Sequence, residues 1–190
     1  MGDEADLSWV VHGHADEHFG IPKVIFFDDV EKVVKEHEVQ NTLQNLTALF
    51  QRYKFWETKF MKNKQGLQQK IPDVKRTIDV VKTLQKRSNS DIDEPITTRF
   101  ELGDQIYVKA EIPKSDSVSL WLGANVMIEY KHEEAIELLQ KNLETAETNL
   151  EHLESHLNFI RDQVNVTEVN MTRVYNYDVL QRRKQPEASE

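Results

Sequence analysis

The sequence predicts an α+β fold in which a long antiparallel two-helix coiled coil carries two β-hairpins at the end where the helices are connected. Three observations support this prediction. Two long segments place apolar residues at alternating spacings of three and four, which is the heptad period of a coiled coil. The segment between them changes to the two-residue period of β-strands. The two heptad segments also carry opposite net charges, so they can lie side by side.

The composition excludes several classes of protein. Of 190 residues, 30% are charged and 38% hydrophobic, with six Gly and five Pro, a profile typical of long helices. The net charge of −9 argues against nucleic-acid binding, which needs a dominant basic surface. Cysteine is absent, so there is no disulfide framework or thiolate nucleophile. The acidic start lacks the features of a secretory signal, and no apolar run approaches the roughly 20 residues that span a bilayer. We therefore expect a soluble intracellular protein with no membrane partner.

The first coiled-coil helix is predicted over residues 21–92, after a polar and aperiodic segment, 1–20, that is predicted to be disordered. Asp28 and Asp29 are candidates for its start. Pro72 lies inside the heptad run and removes a backbone hydrogen bond, so a kink or short break is expected there. The apolar heptad positions are Val39, Leu43, Leu46, Phe50, Tyr53, Phe60, Leu67, Ile71, Val74, Ile78 and Val81.

Two β-hairpins are predicted over residues 96–130. The apolar residues alternate with polar ones over four short stretches, and turn-forming sequences separate the stretches. Gly103-Asp104 suits a two-residue turn, and the residues from Gly123 to Asn125 suit a slightly longer one. Residues 113–116 would link the two hairpins.

The second coiled-coil helix is predicted over residues 132–181, followed by a polar tail, 182–190, that is predicted to be disordered. Its heptad positions contain no Gly or Pro. They are Ile136, Leu139, Leu143, Ala146, Leu150, Leu153, Leu157, Ile160, Val164, Thr167, Met171 and Val174.

The charges of the two helices favour an antiparallel pairing. Residues 51–87 contain eleven basic and three acidic residues, a net charge of +8. Residues 133–169 contain nine acidic and two basic residues, a net charge of −7. A chain that folds back at the hairpins brings these stretches together, and complementary flanks determine partner and orientation in coiled coils.

The apolar residues of the hairpins are predicted to form an assembly surface. Four short strands cannot close a barrel, and their unpaired edges and apolar face require a partner. An intramolecular patch against the helix ends is the alternative. The predicted assembly residues are Phe100, Leu102, Ile106, Val108, Ile112, Val118, Leu120, Leu122, Val126 and Ile128. Tyr107, Trp121 and Met127 fall on the opposite face and are expected to pack on neighbouring elements.

Three sequence motifs resemble those of the prefoldin family, and specifically its α-class subunits. They are GIPKVIFFDDV, WLGANVMIEY and TEVNMTRVYNYDV, in this order around two helices and two hairpins. The resemblance covers residues 20–182, and α-class subunits carry two hairpins whereas β-class subunits carry one. One departure is Tyr177, where the family commonly has Trp.

The resemblance implies a prefoldin α-type fold whose hairpins contribute to an oligomeric β-barrel. It implies a hexamer in which this chain joins one further α-class and four β-class subunits. The expected function is that of an ATP-independent co-chaperone, which captures unfolded actin and tubulin and delivers them to the cytosolic chaperonin. The expected location is the cytoplasm, and a nuclear location is left open. Neither a cofactor nor enzymatic activity is expected.

The resemblance also implies that clients bind at the distal tip, where the start of the first helix meets the end of the second. The alternative is that the apolar residues there cap the coiled coil. The predicted client-contact residues are Ile21, Val24, Ile25, Phe26, Phe27, Val174, Tyr175, Tyr177, Val179 and Leu180. On this hypothesis, replacing Phe26 and Phe27 with Ser weakens client binding and leaves assembly intact.

Other chemistry is weakly indicated. His152 and His156 have a spacing that can bind zinc, but HLESH lacks the Glu that follows the first His of the zinc-protease motif, and the helical face that carries them is expected to be exposed, so no metal is predicted. A structural coiled-coil adaptor without client binding is the competing function. It explains the heptads but not the hairpins between them.

Overall fold

The computed structural model describes residues 8–15, 20–91 and 94–184. Two long helices flank two β-hairpins, which is the α+β arrangement that the sequence predicts. The elements in chain order are β1 (Val11–Ala15), β2 (Ile21–Val24), α1 (Val30–His37), α2 (Val39–Ser88), β3 (Ile96–Gly103), β4 (Ile106–Ile112), β5 (Ser117–Gly123), β6 (Val126–Lys131) and α3 (His132–Lys184). None of the helices within these described ranges has the length and apolar character needed to cross a membrane.

The N-terminal part of the chain differs from the prediction. Residues 21–24 form a strand, β2, which pairs antiparallel with β1, so the first helix does not begin at residue 21. Pro22 favours this extended conformation, because its ring and its effect on the preceding residue disfavour a helix. The helix begins only after Asp29, whose side chain accepts a hydrogen bond from the Lys32 backbone N–H at 3.2 Å. The prediction of disorder over 1–20 is wrong for β1, and its residues 1–7 and 16–19 lie outside the described part.

The helical segment after Asp29 is divided at Glu38. This residue has φ 61° and ψ 149°, a conformation that glycine adopts far more readily than other residues, and it separates α1 from α2. In contrast, α2 continues as a helix through Gly66 and Pro72. The short break considered near Pro72 is therefore absent within Val39–Ser88, and the kink stays a prediction.

Both hairpins contain a β-bulge next to the turn. In the first, Glu101 pairs with Tyr107 and Gly103 with Ile106, so Leu102 is an extra residue. In the second, Leu122 has the same position. The first turn is therefore Asp104-Gln105, one residue later than predicted. The second turn is Ala124-Asn125, one residue shorter than predicted. Ala124 and Asn125 have φ 47° and 59°, as the mirror-image turns favoured in hairpins require.

The described chain divides into two compact units, residues 1–65 with 151–190, and residues 66–150. In the first unit, the hydrophobic core joins α2 and α3 to the N-terminal residues. Its buried members are Val10, Ile21, Val24, Phe27, Leu46, Leu49, Tyr53, Ile160, Val164 and Val174. In the second unit, Ile71, Ile78, Val81, Ala135 and Ala146 are buried.

Ion pairs between α2 and α3 follow the predicted charge complementarity. In the first unit, Lys64 Nζ lies 2.8 Å from Glu154 Oε1, and Arg161 Nε lies 3.7 Å from Glu57 Oε1. In the second unit, Lys75 Nζ lies 2.7 Å from Glu147 Oε1. In each of the two units, positive and negative flanks of the helices therefore face one another.

Candidate functional site

The two hairpins are amphipathic, with one face apolar and the other mainly polar. Strand register places apolar residues opposite one another because side chains two residues apart share a face. The apolar pairs are Ile96 with Ile112, Phe100 with Val108, Val118 with Tyr130, and Leu120 with Ile128. On the other face, Arg99 lies opposite Lys109 and Ser119 opposite Glu129.

The apolar hairpin faces are open to solvent. Eight of the ten predicted assembly residues are exposed, and the other two, Val118 and Leu120, are half-buried. Each hairpin forms its own two-stranded sheet, so both have unpaired edges within the described chain. Contiguous apolar surface with free strand edges is typical of a surface that another chain covers. The helix ends contact only part of it, near Ile96 and Val118, and leave most of the apolar face exposed, which argues against the intramolecular alternative.

The expectation for Tyr107, Trp121 and Met127 is wrong. These side chains lie on the face opposite the apolar pairs, but all three are exposed rather than packed on neighbouring elements. Trp121 lies opposite Met127 beside the second turn.

In the first unit, the described residues 8–15 and 20–29 precede the helices, and we call them the strap. Four strap side chains, Val10, Ile21, Val24 and Phe27, are almost completely buried against α2 and α3. Trp9 stacks on the His37 ring with a centroid distance of 3.8 Å and on Phe27 at 6.3 Å. The strap therefore completes the hydrophobic core of this unit.

Side chains of the two helices also bind the backbone of the strap. On α3, Asn170 accepts a hydrogen bond from the Phe27 N–H at 3.0 Å and donates one to the Ile25 carbonyl at 2.7 Å. Gln163 accepts from the Val24 N–H at 3.0 Å.

Two further side chains extend this set of backbone contacts. Tyr53 on α2 donates to the Pro22 carbonyl at 2.7 Å, and Arg173 donates to the Asp28 carbonyl at 3.1 Å. Burial raises the pKa of the Tyr53 phenol, so the hydroxyl remains a donor at neutral pH.

The predicted client-contact residues fall into two groups. Ile21, Val24, Phe27 and Val174 are buried in the core, so the prediction that they are available to a client is wrong for this arrangement of the strap. Their burial has a local cause, because the strap folds back over the coiled coil. Phe26, Tyr175 and Leu180 are exposed, and Ile25, Tyr177 and Val179 are half-buried. The Arg173 guanidinium lies 4.9 Å from the centre of the Phe26 ring.

Sequence reasoning missed a row of buried polar residues on α3, of which Gln163 and Asn170 hold the strap. His156, Gln163 and Asn170 are buried and spaced by seven residues along α3, beside the apolar heptad positions. Polar residues that recur every seven positions beside the apolar heptad positions were the available sequence signal for this buried polar row. The view that His156 lies on an exposed face is wrong, because it is buried with its ring 5.9 Å from Phe60. Within residues 8–15, 20–91 and 94–184, no three His, Cys, Asp or Glu residues form a group that could hold a metal.

This architecture by itself defines a class of protein. A two-helix coiled coil whose connecting segment exposes apolar hairpins is a subunit of a larger assembly, because the hairpins need partners. The comparisons agree. A family model described as "Prefoldin subunit" matches residues 53–177. Mouse "Prefoldin subunit 3" is 46% identical over 170 residues, which cover 88% of this chain and 86% of that protein.

More distant relatives extend the same result. "Probable prefoldin subunit 3" of Dictyostelium discoideum is 40% identical over 164 residues, covering 86% of this chain and 82% of the relative. "Prefoldin subunit 3" of Drosophila melanogaster is 37% identical over 166 residues, covering 86% and 83%. A chain in the cryo-EM structure of filamentous PFD from Methanocaldococcus jannaschii superposes with a TM-score of 0.49 at 18% identity. The superposition covers 60% of this chain and 91% of that chain, and the similarity is too low to support a functional conclusion.

The chain belongs to the prefoldin family. It is therefore a prefoldin co-chaperone subunit that associates with other prefoldin subunits, and its family is one of chaperones rather than of enzymes.

Proposed function

We propose that this chain is an α-class subunit of a hexamer containing one further α-class and four β-class subunits. The hexamer binds unfolded proteins such as actin and tubulin at the tips of its coiled coils, without ATP, and delivers them to the cytosolic chaperonin. It works in the cytoplasm, and a nuclear pool is compatible with the same activity. The ten predicted assembly residues join the subunits, and the exposed residues at the strap end contact clients.

The open apolar faces of the two hairpins carry this proposal. Two hairpins with unpaired edges provide four strands for an oligomeric sheet, and both present an apolar face that is mostly exposed in the described chain. The similarity to proteins named prefoldin subunit 3 supports the choice of partners. In the unit that contains the strap, exposed Phe26, Tyr175 and Leu180 provide apolar surface for weak binding without sequence preference.

Native mass spectrometry of the complex purified from its own cells tests the composition. We expect one hexameric species with this chain and five small coiled-coil partners. A homodimer, or a one-to-one complex with an unrelated protein, would contradict the proposal and favour the structural adaptor.

Client binding can be tested at the exposed tip residues. The double substitution Phe26→Ser and Leu180→Ser should weaken binding of chemically denatured actin roughly 30-fold, because each side chain is about half exposed and loses on the order of 1 kcal/mol of apolar contact. The measurement is the concentration of hexamer that suppresses half of the actin aggregation.

Phe55→Ser is the matched control. Phe55 is exposed on α2, so its replacement makes the same chemical change on a helix surface that the proposal does not assign to clients. Equal suppression by the double variant and the unmodified hexamer would remove Phe26 and Leu180 from the client site, and native mass spectrometry would verify that both variants assemble.

A further inference from the structure

We propose that the groove between α2 and α3 beneath the strap is a binding site for extended apolar polypeptide segments, and that the strap occupies this site as an internal competitor. The inference deepens the proposed function, and its statement about clients rests on that function. It goes further in naming the groove, the chemistry by which the groove recognises a peptide, and the segment that blocks it.

The groove recognises backbone atoms of the segment that lies in it. Between Pro22 and Asp28, five backbone groups are hydrogen-bonded by four side chains, Tyr53, Gln163, Asn170 and Arg173. Backbone N–H and carbonyl groups are the same in every peptide apart from proline, so these contacts can be made with many sequences. Recognition of this kind suits an unfolded chain, which offers extended backbone without a defined sequence.

The groove also buries apolar side chains of the segment that lies in it. Ile21, Val24 and Phe27 enter the core formed by residues of α2 and α3. The floor of the groove consists of Leu46, Leu49, Tyr53, Ile160, Val164 and Val174, all buried beneath the strap. Apolar side chains of a client segment could occupy the same positions, because their burial depends on area rather than on shape-specific contacts.

The connection of the strap to α2 and the polar groups of the groove both allow the strap to leave the groove. The strap is joined to α2 through the short helix α1 and Glu38, whose φ of 61° is unfavourable for a non-glycine residue. Among the described residues, the side-chain amides of Gln163 and Asn170 form hydrogen bonds only with strap atoms. An incoming peptide can satisfy these amides when the strap leaves, so exchange of one segment for another leaves no polar group unpaired.

Weakening the strap should therefore strengthen binding of a competing peptide. The apparent dissociation constant of the peptide falls as the fraction of molecules with an unoccupied groove rises. The probe is a fluorescein-labelled peptide with the sequence of residues 20–29, added to the assembled complex and followed by fluorescence anisotropy. Phe27→Ala removes a buried strap side chain without altering the groove floor. We expect it to raise the affinity for the probe at least about tenfold, and Phe55→Ala should leave the affinity unchanged.

A second variant and a modified probe keep the test decisive. Ile21→Ala also weakens the strap, and circular dichroism establishes which variant retains the helices. A probe N-methylated at the positions of Val24 and Phe27 lacks the two donors bound by Gln163 and Asn170, and should bind at least about tenfold more weakly. Equal binding of the two probes would overturn the inference. So would an affinity for the unmodified probe that falls or stays constant in both strap variants.

Client binding supplies the final distinction. If the strap competes with clients, Phe27→Ala increases suppression of actin aggregation; if Phe27 itself held clients, the same change would decrease it. Stronger probe binding with unchanged client suppression would show a groove specific for its own strap, which overturns the competitor role. Failure of the unmodified hexamer to suppress aggregation would instead contradict the proposed function, while the probe measurement still decides whether the groove binds peptides.

Discussion

Replacing Ile128 with Asp should abolish assembly of this chain with its partner subunits while leaving the isolated chain folded. Ile128 is 41% exposed on the apolar face of β6 and lies opposite Leu120. In the assembly proposed above, a carboxylate at this position would be taken out of water without a partner, which costs several kcal/mol in addition to the lost apolar contact of about 1.5–3 kcal/mol. Native mass spectrometry of coexpressed subunits should detect no complex that contains the variant.

Met127→Asp is the matched control for this experiment. Met127 precedes Ile128 on the same strand, is exposed, and points to the opposite face of the hairpin. We expect the Met127 variant to assemble. If both variants assemble, the apolar face is not the subunit interface; if neither does, assembly depends on the integrity of the hairpin rather than on one face.

Replacing Asn170 with Ala should detach the strap from the coiled coil. Asn170 is completely buried and supplies hydrogen bonds to the Phe27 N–H and the Ile25 carbonyl. Its removal loses both bonds and leaves buried backbone groups unpaired, at a cost of about 2–4 kcal/mol. Hydrogen exchange followed by mass spectrometry should show exchange at residues 24–27 accelerated by about 30-fold or more, because opening of the strap becomes easier by that free energy.

Asn165→Ala provides the comparison on the same helix, where the amide is exposed. It should leave exchange of the strap within about twofold of the original protein, since surface substitutions of this kind change stability by no more than about 0.5 kcal/mol. Unchanged exchange at residues 24–27 in the Asn170 variant would mean that burial of Ile21, Val24 and Phe27 alone holds the strap.

The helices and hairpins were predictable because their signals are local and repeated. Positions such as Tyr53, Ile78, Ile160 and Val164 were assigned to the heptad runs, and all four are buried. The alternation around Phe100 and Leu120 likewise indicated strands with one apolar face. Such patterns persist over many residues, so one exception, such as Pro72 in α2, does not alter the assignment of the element.

The strap could not be predicted in the same way because distant residues determine its conformation. Ile21, Val24 and Ile25 have spacings that suit one face of a helix, and the sequence there is too short to distinguish a helix from a strand. Three of the backbone hydrogen bonds of this segment are made by Gln163 and Asn170, which lie 139 to 145 residues away in sequence. Only the folded helix pair reveals that these amides face an extended chain, and consequently which apolar residues near the tip remain exposed.

The ion pairs between α2 and α3 also bear on which helices can associate. Each pair is at least partly exposed, and exposed pairs of this kind contribute only about 0–1 kcal/mol to stability. Their sign pattern has a larger effect on the choice of partner. Two copies of α2 placed together would bring basic flanks against basic flanks, and two copies of α3 would do the same with acidic ones. Repulsion between like helices therefore protects the arms of neighbouring molecules from exchanging helices or aggregating through their coiled coils.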